Sequence, residues 1–216
     1  MAFGSKISEP VGVKVDVDNV GLAKDATVQD LAKDTTVQEL IKQNVLEITE
    51  TLTSPPENFI YDKSIVFDAT NGAKLTGQSQ QIVFKDNIMT FDIKADMMQD
   101  SIITGEGCYI CAFIDRDNYI MVRIYGDGTS LYFKVIKKVG GTVTELYSTS
   151  ISVNTFYTVQ LIGYNNSAGF YFNVYLNGTK VFNGYEATFT NAKFSLYASA
   201  TLANGYIKNV TLRCFK

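Results

Sequence analysis

The sequence lacks histidine and tryptophan altogether, and its 216 residues include only three cysteines and three prolines. Without histidine, the chain cannot assemble a Ser-His-Asp triad or a histidine-ligated metal site. Without tryptophan, it lacks the largest aromatic side chain, which weighs against a strong sugar-stacking platform. No run of about 18 apolar residues occurs either, so we expect no membrane insertion.

Positive charge is also sparse, because the longest basic run is Lys137-Lys138 and the formal net charge is −3. Nucleic acids are bound by clustered Lys and Arg, so we expect no nucleic-acid partner. The first ten residues, MAFGSKISEP, do not contain the apolar run of a signal peptide. If the protein reaches a surface assembly, we therefore expect it to leave its cell by another route, such as lysis.

The three cysteines are Cys108, Cys111 and Cys214. A C-x-x-C pair suggests metal or redox chemistry when it lies in a turn or at a helix start. Here the segment CYIC lies within a predicted strand, where side chains three positions apart point to opposite faces. We therefore expect buried cysteines, no bound metal and no cofactor. A disulfide from Cys214 to one of the other two is left open.

What the sequence contains in abundance is alternation of apolar and polar residues, most clearly from Gly107 to Lys138. Three alternating runs are separated there by DRDN and GDGTS. Side chains two positions apart share a face of a strand, so these runs predict half-buried antiparallel strands joined by tight turns. In the second run, Ile120, Val122 and Ile124 are predicted to face the core.

Similar segments follow along the chain. In FYFNVYL, Phe170 and Phe172 are predicted to face the core, and in the last strand Ile207, Asn209 and Thr211 share one face. The total is roughly ten to twelve strands, at the spacing typical of an antiparallel two-sheet jelly roll. The predicted fold class is therefore an all-β jelly-roll sandwich, preceded by a short extended and helical N-terminal stalk.

The beginning of the chain has a different pattern. In residues 1–20, VGVKVDVDNV alternates valine with other residues and predicts a strand that needs a partner. The alternative is an arm without regular structure. Two nine-residue repeats, LAKDATVQD and LAKDTTVQE, each contain a Thr-Val-Gln-acid capping box, which predicts a short extended piece followed by a helix start.

A longer helix is predicted from residue 37 to about residue 52, before the Pro55-Pro56 pair stops it. Its apolar side chains lie four, three and four residues apart, which is typical of self-associating helices. These oligomerisation residues are Ile41, Val45, Ile48 and Leu52. We place a boundary after residue 54, between an acidic anchoring and oligomerising arm (1–54) and a head (55–216).

The motifs of the head follow a familiar order. DRDNY is followed by Arg123, then by LYFKVIKKVGGTVTEL, FYTVQL, FNVYLNGTKV and GYIKNVTL. This order resembles the concanavalin A-like, laminin-G-type jelly roll of lectin, adhesion and carbohydrate-binding domains, over residues 58–216. The repeat GLAKDATVQDLAKDTTVQEL is in turn similar to N-terminal segments of phage and virus fibre or baseplate proteins.

The first resemblance also raises the question of catalysis, because that family includes glucanases with an E-x-D-x-x-E pattern on their catalytic strand. Retaining hydrolysis needs two carboxyl groups about 5 Å apart. No predicted strand places Glu and Asp two positions apart on one face, and we interpret Asp92 and Asp96 as the solvent face of an edge strand. We therefore expect a protein that is not an enzyme.

Three groups of side chains are candidates for ligand binding. An outward row of rings and an amide would either stack on sugars or be buried against a sister subunit. Arg123 would contact a ligand or pair with a neighbouring acid. Asp115, Asp117 and Asn118 belong to one tight loop and would bind a hard cation or stabilise a turn. The outward row consists of Tyr171, Asn173 and Tyr175. The candidate ligand-binding residues are these three together with Arg123, Asp117 and Asn118.

Together, these features predict a virion structural protein of the fibre or receptor-binding type. Residues 1–20 would bind other virion proteins, and the head would bind a host-surface glycan or a partner protein. The expected location is the virion or an extracellular surface assembly. The alternative is a stand-alone carbohydrate-binding or adhesion module of a surface assembly; a glycoside hydrolase is a third and less favoured hypothesis.

The predicted helix should make the protein a homo-oligomer, with a trimer favoured. Light scattering on the full chain is expected to give the mass of three chains. The mass of a single chain at every concentration tested would contradict the oligomerising arm.

Overall fold

Every regular element in the described part of the chain is a β-strand. The computed structural model describes residues 45–77, 80–201 and 204–215. None of these residues forms a helix long and apolar enough to span a membrane. The valine-rich segment, the nine-residue repeats and Ile41 lie outside the described residues. The strands are β1 (Val45–Glu50), β2 (Ile60–Tyr61), β3 (Val66–Asp68), β4 (Gly72–Leu75), β5 (Gln81–Ile88), β6 (Thr90–Gln99), β7 (Thr104–Asp115), β8 (Asn118–Asp127), β9 (Leu131–Val139), β10 (Thr142–Ile151), β11 (Tyr157–Asn166), β12 (Gly169–Leu176), β13 (Thr179–Glu186), β14 (Phe194–Ala200) and β15 (Gly205–Phe215).

Two antiparallel sheets form a sandwich, which confirms the predicted all-β jelly-roll fold. Sheet A has eight strands in the order β13-β12-β11-β6-β15-β4-β3, with β1 also paired to β15. Sheet B has seven strands in the order β10-β9-β8-β7-β14-β5-β2. The strands in the described residues outnumber the predicted ten to twelve because β2, β3 and β4 are only two to four residues long.

The two sheets are joined by a layer of phenylalanine rings. Phe170 of sheet A and Phe194 of sheet B have ring centroids 4.4 Å apart, and Phe91 lies 6.0 Å from Phe194. Gly163 on β11 leaves room for this layer, because a Cβ there would lie 2.5 Å from Phe91 Cζ and 2.7 Å from Phe170 Cζ. Aromatic pairs at such distances contribute packing energy beyond the area they bury.

The alternation predicted for the central strands is confirmed. Ile120, Val122 and Ile124 are all buried in the core, as are Phe170 and Phe172. Successive residues between them point to the opposite side of their sheet. The sequence pattern therefore assigned the inward and outward sides of these strands correctly.

The last strand departs from its prediction. Ile207 is buried but Asn209 is exposed, while the next residue, Val210, is buried again. Asn209 has a positive φ of 52°, and the pairing of β15 with β6 shifts register between Lys208 and Thr211. This β-bulge moves the following side chains to the other face. The expectation that Ile207, Asn209 and Thr211 share one face was wrong.

The predicted helix is wrong for residues 45–50, which form strand β1. The backbone amide of Asn209 donates a hydrogen bond to the backbone carbonyl of Thr51, 3.1 Å away. Arg213 forms an ion pair with Glu47 at 3.2 Å. Pairing with β15 thus overrides the local helical spacing, as tertiary contacts often do.

The predicted helical seam is therefore not formed by its described members. Val45 and Ile48 belong to the strand, and Leu52 follows it with a φ of 58° and only 1% of its surface exposed. The compact unit that contains the sandwich begins at Glu47, within the arm predicted for residues 1–54. Self-association of the chain stays a prediction.

Leu52→Ala is expected to lower the free energy of unfolding by about 2–5 kcal/mol, because it leaves a cavity in the core. Thr49→Ala, at an exposed position of β1, is the control and should change stability by less than about 1 kcal/mol. Urea denaturation at two protein concentrations measures both. A loss that depends on protein concentration would instead place Leu52 in a contact between chains.

Candidate functional site

The side of sheet B that points away from sheet A carries aromatic and charged side chains, and we call it the front face. Strand register arranges them in rows: Tyr109 lies opposite Arg123, which lies opposite Lys134. In the next row, Tyr125 is opposite Glu106 on one side and Tyr132 on the other. The front face consists of Glu106, Tyr109, Tyr119, Arg123, Tyr125, Tyr132, Lys134, Glu145 and Tyr197.

An apolar cluster forms the floor of the front face. It consists of buried Tyr109, Cys111, Met121 and Ile136, with half-buried Phe113, Tyr119 and Tyr197 packed against it. The Tyr109 and Tyr197 rings meet edge to face with centroids 6.2 Å apart. Burial raises the pKa of both phenols above the ordinary value of 10.0, so their hydroxyl groups stay protonated even in alkaline solution and can donate hydrogen bonds.

Arg123 lies at the centre of the front face and forms an ion pair with Glu106. This agrees with the prediction that Arg123 pairs with a neighbouring acid. Glu106 also accepts a hydrogen bond from Thr201 Oγ1 at 3.1 Å. The guanidinium lies 4.8 Å from the Tyr125 ring centroid, and Lys134 Nζ lies 4.4 Å from the same centroid. Tyr125 is thus held by two cations. A direct contact of Arg123 with a ligand stays a prediction.

The loop between β7 and β8 uses its polar atoms internally. The Asp115 carboxylate accepts hydrogen bonds from the Asp117 amide at 2.8 Å and from Asn118 Nδ2 at 2.9 Å. These bonds, led by that from Asn118, lower the pKa of Asp115. Asp117 also pairs with Lys138 at 3.1 Å, and Asn118 Oδ1 accepts from the Gly140 amide at 3.0 Å. This geometry agrees with the turn alternative.

Metal ligands are equally scarce elsewhere in the described ranges, where no three His, Cys, Asp or Glu side chains are grouped to hold an ion. Asn118 does line an open cavity of about 340 Å³, together with Ile114, Val139 and Phe189. Binding of a cation or another ligand by Asp117 and Asn118 stays a prediction.

The outward side of sheet A, which we call the rear face, carries Tyr171, Asn173 and Tyr175 on β12, as predicted. Tyr175 lies opposite Lys180, whose Nζ is 5.7 Å from the ring centroid, and Asn173 lies opposite Asn183. These three side chains therefore lie on one side of the sheet but have different neighbours. Tyr171 alone is beside other tyrosines.

Those neighbours are Tyr164 on β11 and Tyr185 on β13, directly opposite Tyr171 in the register of the sheet. The Tyr171 ring centroid lies 6.4 Å from that of Tyr164 and 4.6 Å from that of Tyr185. We call Tyr164, Tyr171 and Tyr185 the tyrosine row. Sequence reasoning missed Tyr164 and Tyr185, because the row crosses three strands rather than following one.

Asp92 and Asp96 lie on the rear face in separate hydrogen-bond networks. Asp92 accepts from Gln160 Nε2 at 2.7 Å and lies 3.9 Å from Arg213 Nη1. Asp96 accepts from Thr158 Oγ1 at 2.6 Å and from Asn209 Nδ2 at 2.7 Å. Burial raises the pKa of Asp92, and the hydrogen bond from Gln160 opposes that effect. Both carboxylates thus link strands of sheet A. Because β6 lies between β11 and β15, the interpretation of Asp92 and Asp96 as residues of an edge strand was wrong.

The cysteines are all free and buried, so the disulfide left open for Cys214 is not formed. Cys108 Sγ lies 3.5 Å from the Met98 carbonyl oxygen of sheet A, whereas Cys111 lies in the floor of the front face. The two therefore point to opposite sides of β7, as predicted. Burial raises the pKa of Cys108 to about 12.

No protein-family model matches the sequence, and no curated protein sequence matches it either. Solved structures do match. A carbohydrate-binding module, CBM66 from Bacillus subtilis, aligns with a TM-score of 0.54 and 17% identity, over 72% of this chain and 94% of that chain. The GH43 protein BlXynB from Bacillus licheniformis aligns with a TM-score of 0.58 and 11% identity, over 78% of this chain and 39% of that chain. The Crh5 transglycosylase in complex with NAG aligns with a TM-score of 0.54 and 15% identity, over 79% of this chain and 83% of that chain.

At these identities the likeness concerns the fold alone. None of the three is described as a fibre or baseplate protein. The comparisons therefore do not support the virion interpretation of the N-terminal repeats, which stays a prediction.

The buried thiols should not react with a thiol reagent in the folded protein, and all three should react in denaturant. The ordinary thiol pKa of 9.0 applies to the unfolded chain, whereas Cys108 titrates at about 12 when folded. The contribution of the protonated Cys108 thiol to the free energy of unfolding is therefore fully present below pH 9 and is lost as the pH rises towards 12. Urea unfolding should show a smaller loss between about pH 8 and about pH 10 for Cys108→Ala than for the unaltered protein. An equal loss would contradict this assignment.

Proposed function

We propose that the chain is a carbohydrate-binding module that holds a neutral oligosaccharide on the front face of sheet B. This is the alternative that the sequence offered beside the virion fibre protein. The single observation that carries the proposal is the group of half-buried tyrosine rings around the Arg123–Glu106 ion pair. The carbohydrate-binding module among the similar folds supports it.

The rings have the surface chemistry that a sugar needs. A pyranose or furanose presents C–H groups that pack on an aromatic face, and hydroxyl groups that exchange hydrogen bonds with phenols. Tyr119, Tyr125, Tyr132 and Tyr197 are each half-buried, so each ring keeps one accessible part while its neighbours restrict its rotation. Side chains ordered before binding lose less entropy when a ligand arrives.

The charges of the front face offset one another. Arg123 pairs with Glu106, and Lys134 pairs with Glu145 at 2.7 Å. The four groups add no net formal charge, which suits a neutral sugar better than an acidic one. Held in pairs, they present fixed donors and acceptors to sugar hydroxyls, as in many pockets where a few polar groups orient the ligand.

The same carboxylates are poorly placed for hydrolysis. Glu106 is on β7 and Glu145 on β10, with β8 and β9 between them. Three strand spacings amount to about 14 Å. Paired glycosidase carboxylates lie about 5–9.5 Å apart, so this geometry supports binding rather than cleavage.

Only the N-terminal segment of the sequence indicates a larger assembly to which the module would belong. Attachment to a virion through residues 1–20, a homotrimer and an extracellular location all stay predictions. A head that binds a host-surface glycan would use the same front face, so the two interpretations differ in setting rather than in site.

A glycan microarray with the full chain, followed by calorimetry with the oligosaccharide bound most tightly, tests the proposal. Tyr125→Ala should weaken binding about 5–30-fold, since a buried ring surface contributes on the order of 1–2 kcal/mol. Tyr206 lies on β15 next to the buried Ile207 and therefore points to the rear face. Tyr206→Ala is the matched control and should bind as the unaltered protein does. Equal affinity of the Tyr125→Ala and unaltered proteins, or silence of the whole array, would contradict the proposed site.

A further inference from the structure

The tyrosine row is an exposed aromatic surface on sheet A, separate from the front face of sheet B. Tyr164, Tyr171 and Tyr185 have 49%, 44% and 45% of their surface exposed. They touch each other across three neighbouring strands, and β13 is the edge strand of sheet A. Contiguous exposed apolar surface in a folded protein typically marks a site of interaction.

The alignment of the row depends on a β-bulge. The turn Asn177-Gly178 joins β12 to β13, and counting outwards from it pairs Tyr171 with Gly184. The register shifts between Val174 and Tyr175, and this moves Tyr171 opposite Tyr185 instead. A bulge that redirects a side chain is often found beside functional surfaces.

Two of the three rings are hydrogen-bonded to residues where β11 turns into β12. The Tyr185 hydroxyl donates to the Ala168 carbonyl, and Asn166 Nδ2 donates to the Tyr164 hydroxyl at 3.3 Å. Gly169 permits this arrangement, because a Cβ there would lie 2.8 Å from Tyr185 Cε2. The Tyr164 and Tyr185 rings are therefore held in place before any ligand arrives, and this lowers the entropy that they lose on binding.

Within the described ranges, the residues directly opposite the three rings, and those directly beside them on the same face of their strands, are uncharged. Thr90 lies opposite Tyr164 on the far side, and the next row along the strands contains Ile162, Asn173 and Asn183. Beyond Ile162 comes Asp92, whose carboxylate is bound by Gln160 and lies near Arg213. Rings beside a hydroxyl and amides, without a charge to match, suit a neutral, hydroxyl-rich chain rather than an acidic peptide or a phosphate.

We propose that the tyrosine row is a second polysaccharide-binding surface and that the protein thereby links two polysaccharide chains. This rests on the proposed function of the front face. The two faces belong to opposite sheets and point away from each other, so one straight glycan cannot cover both. Each face therefore takes its own chain, and attachment to a polysaccharide network gains strength from the pair of sites.

The test uses the full chain with soluble xylan, xyloglucan, arabinan and β-1,3-glucan, and with the six-sugar fragment of each. The unaltered protein is expected to cross-link at least one polymer, seen as a rise in light scattering at intermediate ratios of protein to sugar. Tyr171→Ala should abolish the cross-linking and weaken retention on that polymer about tenfold or more. Its affinity for the six-sugar fragment at the front face should stay within about twofold of the unaltered protein, and the Tyr206→Ala control should cross-link normally.

The outcomes separate the two proposals. Cross-linking that persists in Tyr171→Ala overturns the second surface and leaves the front face standing. Loss of six-sugar binding in Tyr171→Ala overturns the front face as the oligosaccharide site. A fall in the mass of the protein itself on Tyr171→Ala assigns the row to contact between copies and overturns the inference. Failure of the unaltered protein to bind any of the polymers overturns both.

Discussion

The packing of Phe170 of sheet A against Phe194 of sheet B is the contact on which the rest of the structure depends, because it joins the two sheets. The absence of a side chain at Gly163 lets Phe91 and Phe170 pack into the same layer. With the apolar sides of both sheets buried against each other, their other sides are left to solvent. Neither of the two surfaces that we propose for glycan binding takes part in joining the sheets.

Much of this architecture follows from local alternation. Ile120, Val122 and Ile124 could be assigned to the core from their spacing, and the opposite directions of Cys108 and Cys111 follow from their positions on one strand. The predicted helix failed for a physical reason: the partner of β1 is β15, and the residues joined by the Glu47–Arg213 contact are 166 positions apart. A spacing that fits a helix does not reveal such a distant partner.

The candidate sites show the same limit more sharply. Tyr171 and Arg123 were found from the sequence because each stands out on its own strand. Tyr164 and Tyr185 were missed because the row depends on a one-residue shift in the pairing of β12 with β13. The Asn177-Gly178 turn predicts the hairpin but not this shift. The front face likewise needs the pairing of β7, β8 and β9 before its scattered tyrosines become one surface. Side-chain direction could thus be predicted, whereas neighbourhood across strands could not.

The enclosed cysteines have a practical consequence. The sequence contains three cysteines, and all three are buried in the folded chain. A cysteine introduced on either outer surface would therefore be the sole accessible attachment point for a maleimide dye, a spin label or a gold particle. Probes can be placed on one chosen side of the sandwich while every native thiol is retained.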